Sequence, residues 1–126
     1  GTLNNCAVIG NYATQSGAGT YGGLLNNCIV YFNTAYEANN NYSGSIFNYS
    51  CTIPLPTNGV GNISSDPQLA SASHLSFFSP CIGKGNHDAA SGVDIDGEPW
   101  ANPPSMGCDE LHAGTTTGQL SVGITA

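Results

Sequence analysis

Arginine is absent from this 126-residue chain, and Lys84 is the one basic side chain besides three histidines, set against eight carboxylates. A net charge of −7 cannot neutralise phosphates, which makes nucleic acid and anionic membrane surfaces poor partners. Charged residues make up only 7% of the chain, where a globular domain carries about 25%. No run approaches the ~20 apolar residues of a membrane span, and the first residues lack the charged and apolar regions of a signal peptide. Asn, Ser, Thr and Gly stand in place of the missing charges, a composition that fits a secreted or cell-surface protein. The five cysteines form no CxxC pattern, and their odd number leaves at least one outside any pairing within the chain.

What is present is a repeat. Leu3-Asn4-Asn5-Cys6-Ala7-Val8-Ile9 returns as Leu25-Asn26-Asn27-Cys28-Ile29-Val30-Tyr31, a period of 22. A weaker third copy, Asn48-Tyr49-Ser50-Cys51-Thr52-Ile53, sets its cysteine one position beyond that period. Each copy is a short β-branched or aromatic run bounded by turn residues, as in Gly17-Ala18-Gly19 and Gly22-Gly23, so the chain reads as strands joined by tight turns. A β-sandwich would place strands roughly every 8–12 residues and would not need like residues at a fixed long period. The pattern predicts an all-β solenoid, a right-handed parallel β-helix of about three coils followed by an irregular C-terminal ending. One coil cannot bury its apolar side chains alone, whereas stacked coils align like residues into internal ladders.

Alternation assigns the faces. Cys6, Val8, Cys28, Val30, Phe32, Cys51 and Ile53 are expected inside, with Cys6, Cys28 and Cys51 forming one core ladder. Ala7, Ile9, Ile29, Tyr31 and Thr52 are expected outside. Asn5 and Asn27 fall where stacked amides satisfy the backbone of a turn.

The coil blocks Asn5-Cys6 to Gly10-Asn11 and Tyr21-Gly22-Gly23-Leu24-Leu25-Asn26-Asn27-Cys28 resemble those of bacterial secreted right-handed parallel β-helix proteins of the choice-of-anchor Q type. The ending resembles that family's recurring C-terminus in order, through Asn62-Ile63-Ser64-Ser65-Asp66-Pro67, His74-Leu75, Ser79-Pro80-Cys81-Ile82, Asp94-Ile95-Asp96-Gly97-Glu98-Pro99 and Met106-Gly107-Cys108-Asp109-Glu110. It departs at Gly83-Lys84-Gly85, at Trp100 and at Gly107-Cys108-Asp109-Glu110, which weakens any transfer of the family's polar pairs. The resemblance implies that residues 1–112 are the last coils and ending of a longer β-helix. Residues 113–126 read as a linker and the start of a following β module, with Leu120 to Ile124 alternating like a strand.

Parallel β-helices often house polysaccharide lyases and hydrolases, which the fold alone never proves. A lyase needs acidic ligands and a basic residue, and a hydrolase needs paired carboxylates on adjacent strands. The expected strands offer neither, and no catalytic residue is assigned. Asp94, Asp96 and Glu98 with a turn glycine match only part of a calcium loop, and a solvated Asp-Gly turn is the more ordinary reading. Asp109 and Glu110 join them only if the chain folds back. Cys81 and Cys108 are candidates for a disulfide, with two packed thiols as the alternative. Tyr31 and Trp100 lead the aromatics that would offer flat faces to sugar rings.

The expectation is a noncatalytic extracellular segment contacting glycans or cell surfaces. The tail of a polysaccharide-degrading enzyme and a purely structural spacer are the alternatives. The first strand, lacking a neighbour on one side, is expected either to pair with a second copy in a homodimer or to be more labile than the rest of the chain.

Overall fold

The computed structural model describes residues 1–112, so the expected linker and strand between residues 113 and 126 lie outside the described residues. Ten short strands build parallel sheets and no α-helix accompanies them among the described residues. Strands β1 (Thr2–Asn4), β5 (Leu24–Asn26) and β9 (Ile46–Asn48) form one three-stranded sheet. Strands β2 (Ala7–Ile9), β6 (Ile29–Tyr31) and β10 (Cys51–Thr52) form a second. Two smaller sheets pair β3 (Tyr12–Ala13) with β7 (Thr34–Ala35) and β4 (Thr20–Tyr21) with β8 (Tyr42–Ser43).

Register identifies the repeat as the coil. Thr2 pairs with Leu24 and Leu24 with Ile46, while Ala7 pairs with Ile29 and Ile29 with Cys51, so every pairing repeats the period of the sequence. The arrangement is β-helix-like, as that period requires. The corners between β1 and β2, between β5 and β6, and between β9 and β10 carry Asn5, Asn27 and Tyr49 at φ of 50°, 55° and 50°. Asparagine tolerates this left-handed conformation better than most residues, which explains two of the three.

The third copy corrects the expected cysteine ladder. The step of 22 places Ser50, not Cys51, over Cys28, and the Cys28 amide donates to Ser50 Oγ at 3.0 Å. Cys6 Sγ donates to the Asn4 carbonyl at 3.3 Å, Cys28 Sγ to Asn26 at 3.2 Å and Ser50 Oγ to Asn48 at 2.9 Å, one bond repeated in three coils. The interior ladder is therefore Cys6, Cys28 and Ser50. Cys51 belongs to the Ala7 and Ile29 row on the opposite face, because a slip by a single position turns a strand residue over. Thr52 consequently points inward beside Val30, and its buried Oγ1 has no hydrogen-bond partner. Phe32, at φ 59°, and Ile53, both expected inside, are exposed.

Two apolar clusters follow from this. Leu25, Cys28, Val30 and Phe47 pack between the sheets, with Cys6, Val8 and Tyr42 at their margin. The second cluster lies on the outer face of β2, β6 and β10, where Ile29, Tyr31 and Cys51 meet Leu75, Cys81 and Met106. Those last three residues come from the ending, which folds back over the sheet and covers it.

Docking of the ending is polar as well as apolar. The fully buried Asn27 donates from Nδ2 to Asn5 Oδ1 (3.1 Å) and to the Asn86 carbonyl (2.8 Å), and its Oδ1 accepts from the Asn86 amide (2.7 Å). Its carbonyl accepts from the Gly107 amide at 2.7 Å, and Asn5 Nδ2 donates to the carbonyls of Ser105 and Gly107, both at 3.1 Å. Gly107 passes close over the sheet at φ 88°, and a Cβ there would stand 2.8 Å from Ile29 Cδ1.

The third coil is closed by residues 58–63. The amides of Val60 and Ile63 donate to Asn48 Oδ1 and to the Ser50 carbonyl, while those of Tyr49, Ser50 and Thr52 donate to Val60 O, Asn62 Oδ1 and Ile63 O. Asn62 Nδ2 adds a bond to the Phe47 carbonyl at 2.8 Å.

Candidate metal centre

The turn at residues 94–98 is built around one carboxylate. Asp94 Oδ1 accepts from the amides of Asp96 (2.9 Å) and Glu98 (2.8 Å), and the Asp94 amide donates to the Glu98 carbonyl (2.8 Å). Gly97, at φ 82°, supplies the left-handed step that closes the turn. Asp94 Oδ2 accepts from the Glu110 amide at 2.8 Å, and the Ile95 amide donates to the Cys108 carbonyl at 2.9 Å. These bonds draw residues 108–110 against the turn, so the chain does fold back.

The result is a convergence of carboxylates. Asp94, Asp96, Glu98 and Asp109 each present an oxygen within 4.8 Å of the others, and His74 joins Asp96 and Asp109 in an overlapping group. Asp94 and Asp109 are buried, and Glu98 Oε1 is a buried oxygen with no hydrogen-bond partner. His74 Nε2 lies 3.0 Å from Asp96 Oδ2, and its Nδ1 faces Ser71 Oγ and Ser73 Oγ at 3.1 and 2.9 Å, which fixes the ring. Asp109 Oδ2 accepts the Leu75 amide at 2.9 Å and so anchors the histidine's own segment. Like charges this close repel by about 4 kcal/mol per pair at protein-surface dielectric, a cost that a hard divalent cation would reverse.

Glu110, expected beside Asp109 in the calcium site once the chain folds back, has a different role. It joins no ligand cluster. Its buried Oε1 accepts the amides of Ala101 and Ser105, at 3.1 and 2.9 Å, and its Oε2 accepts the Ser105 hydroxyl at 2.6 Å. No local motif announces this role, because the recipients lie in a loop without regular structure.

The predicted aromatics part company. Tyr31 is only 7% exposed, covered by the ending, and its hydroxyl donates to the Ser64 carbonyl at 2.9 Å. It cannot offer a face to a sugar, and burial pushes its phenol above the usual range. Trp100 is half-buried in the ending, with Nε1 donating to the Ser91 carbonyl at 3.2 Å. Exposed rings sit elsewhere: Tyr12, at 65%, and Tyr36, at 80%, flank Thr34 on the outer side of β3 and β7.

All five cysteines are free thiols. Cys81 meets Cys51 in the outer apolar cluster, whereas Cys108 Sγ donates to the Ser73 carbonyl at 3.2 Å. The expected pairing of Cys81 with Cys108 is thus not the contact the fold makes. Burial, first, then the neighbouring Asp109 carboxylate push the Cys108 thiol up to about 11.

A shallow cavity beside Thr2, Leu3, Thr20, Tyr21 and Leu24 shares no residue with the carboxylates. No family model, no curated protein and no solved structure matches the chain.

Proposed function

We propose that this chain is a noncatalytic extracellular segment of a right-handed parallel β-helix that serves as a surface scaffold, as its resemblance to the choice-of-anchor Q proteins implies. One observation carries the reading: the broad outer face of β2, β6 and β10 is filled by the ending and is not left as a groove. None of the ten strands carries an acid, a histidine or a lysine, so no strand presents paired carboxylates to a substrate. Both points weigh against the tail of a polysaccharide-degrading enzyme.

Glycan contact, on this reading, uses the face formed by Tyr12, Thr34 and Tyr36, where two exposed rings flank a hydroxyl. On a carbohydrate array the chain is expected to give signals that a Tyr12→Ala/Tyr36→Ala variant loses, while a Trp100→Ala variant keeps them. Signals equal in chain and double variant would place glycan contact elsewhere, and a blank array would leave the structural spacer as the better account.

The ending of this scaffold is proposed to take up calcium at Asp96, Glu98 and Asp109, with Asp94 holding the turn. The buried Glu98 oxygen without a donor supports this, since such a group otherwise costs about 1–3 kcal/mol. Titration calorimetry should register one binding event. At a hundredfold excess over Kd the melting temperature should rise by roughly 10 °C. An Asp96→Asn/Glu98→Gln variant retains the Asp94 turn and should lose both responses. Equal traces for chain and variant would leave only a solvated turn.

A further inference from the structure

We infer that Cys51 and Cys81 form a dithiol that closes to a disulfide and so locks the ending onto the third coil. Their positions make the case. Cys51 begins β10, on the outer face of its sheet, and Cys81 lies far downstream in the ending. Both are fully buried members of one cluster, and their thiols interact directly.

Each is held by its backbone. The Cys51 amide donates to the Cys28 carbonyl at 2.8 Å, which ties it into the coil ladder. The Cys81 amide donates to Ser79 Oγ at 3.1 Å, and the Cys81 carbonyl accepts the Met106 amide at 3.0 Å. Cys51 Sγ also donates to the Ser65 carbonyl at 3.2 Å, so the contact of the two residues is a property of the docked layer and not of two mobile loops. Cys6 and Cys28 differ in kind. Their thiols also interact, but as equivalent positions of successive coils, so a bond between them would tie coil to coil and leave the ending free.

Chemistry follows from the contact. The Cys51 thiol beside it lowers Cys81 below the usual thiol range, while Cys81 and then burial raise Cys51. The Cys81 thiolate attacks one sulfur of a disulfide oxidant and releases one small thiol. Cys51, deprotonated, then displaces the second small thiol from the mixed disulfide. Two protein thiols lose two protons and two electrons, and the oxidant gains them as two thiols. Because both sulfurs are buried, exchange proceeds through openings of the ending, and the product closes a loop that suppresses those openings.

Equilibration with oxidised glutathione, followed by acid quenching, denaturing alkylation and peptide mapping, tests the inference. The expected product has lost two hydrogens, contains one cross-linked peptide pair bearing Cys51 and Cys81, and melts roughly 10 °C above the reduced chain. A Cys108→Ser variant should behave identically, and a Cys81→Ala variant should yield no such rise. A cross-link between Cys81 and Cys108 would overturn the inference, as would Cys51 and Cys81 recovered as alkylated thiols after prolonged oxidation. Mapping on the unaltered chain decides the matter even where a variant fails to fold.

Discussion

Replacing Asn27 by alanine should destabilise the chain by about 3 kcal/mol, among the largest effects expected of any single polar side chain here. Its side chain bonds to the Asn5 side chain and to both backbone groups of Asn86, and its main chain holds Gly107. Alanine leaves the Asn86 amide, the Asn86 carbonyl and Asn5 Oδ1 without their partner, at about 1–3 kcal/mol for each that stays buried and dry. Water entering the vacated space offsets part of that. A sharp control is available in Asn86→Ala. The bonds from Asn86 to Asn27 come from its backbone, so this change loses only the side-chain bond to the Asp88 amide, about 1 kcal/mol. Urea unfolding of both variants measures the difference. Equal losses would mean that Asn27 does not hold the ending.

The second large effect belongs to Glu110. Glu110→Ala removes the acceptor for two amides and a hydroxyl, for an expected loss of about 3 kcal/mol. Glu110→Gln preserves size and one oxygen acceptor. Its amide nitrogen cannot accept the Ser105 hydroxyl hydrogen, and that hydroxyl already accepts the Gly83 amide at 3.2 Å. The glutamine variant should therefore lose about 1–2 kcal/mol, less than alanine but more than a surface change. Trp100 reports the event, since its neighbour Ala101 donates to Glu110: its fluorescence should shift to the red in the alanine variant. Unchanged emission and stability in Glu110→Ala would show that the carboxylate is dispensable.

Local periodicity carried much of the fold into view. The coil period, the strand positions and the asparagine corners were legible because each depends on neighbours in sequence or on like residues one coil away. Cys51 misled for a definite reason. Matching cysteine to cysteine lengthens the last step by one position, whereas backbone pairing keeps the period constant and sets a serine over Cys28. Residue identity is weaker evidence of register than hydrogen bonding, since Ser50 makes the bond a cysteine makes in the coils below. Tyr31 misled because alternation does point it outward, as read, but no periodic signal says that residues far downstream return to cover that face.

The candidate site was legible to the same depth. Asp94, Asp96 and Glu98 converge because they share one turn, and the sequence places them together. Asp109 joins through the bond from the Glu110 amide to Asp94, and His74 joins through Asp96, both contacts between segments distant in sequence. The meeting of Cys51 with Cys81 is of this longer kind. It depends on how an irregular segment lies on a sheet, and irregular segments have no period to read.

The closure of the third coil by residues 58–63 bears on aggregation. Stacked parallel strands are a template, and an open last rung would recruit an identical chain, then another, toward a fibre. Here that rung is already occupied, its amides and carbonyls bonded to a short stretch broken by Gly59 and Gly61. Added side chains would collide there: a Cβ at Gly61 would meet the Tyr49 ring, and one at Gly59 the Phe47 carbonyl. The small residues that let this stretch lie flat against the coil thus cover β9 and β10, which offer no open edge to a second chain.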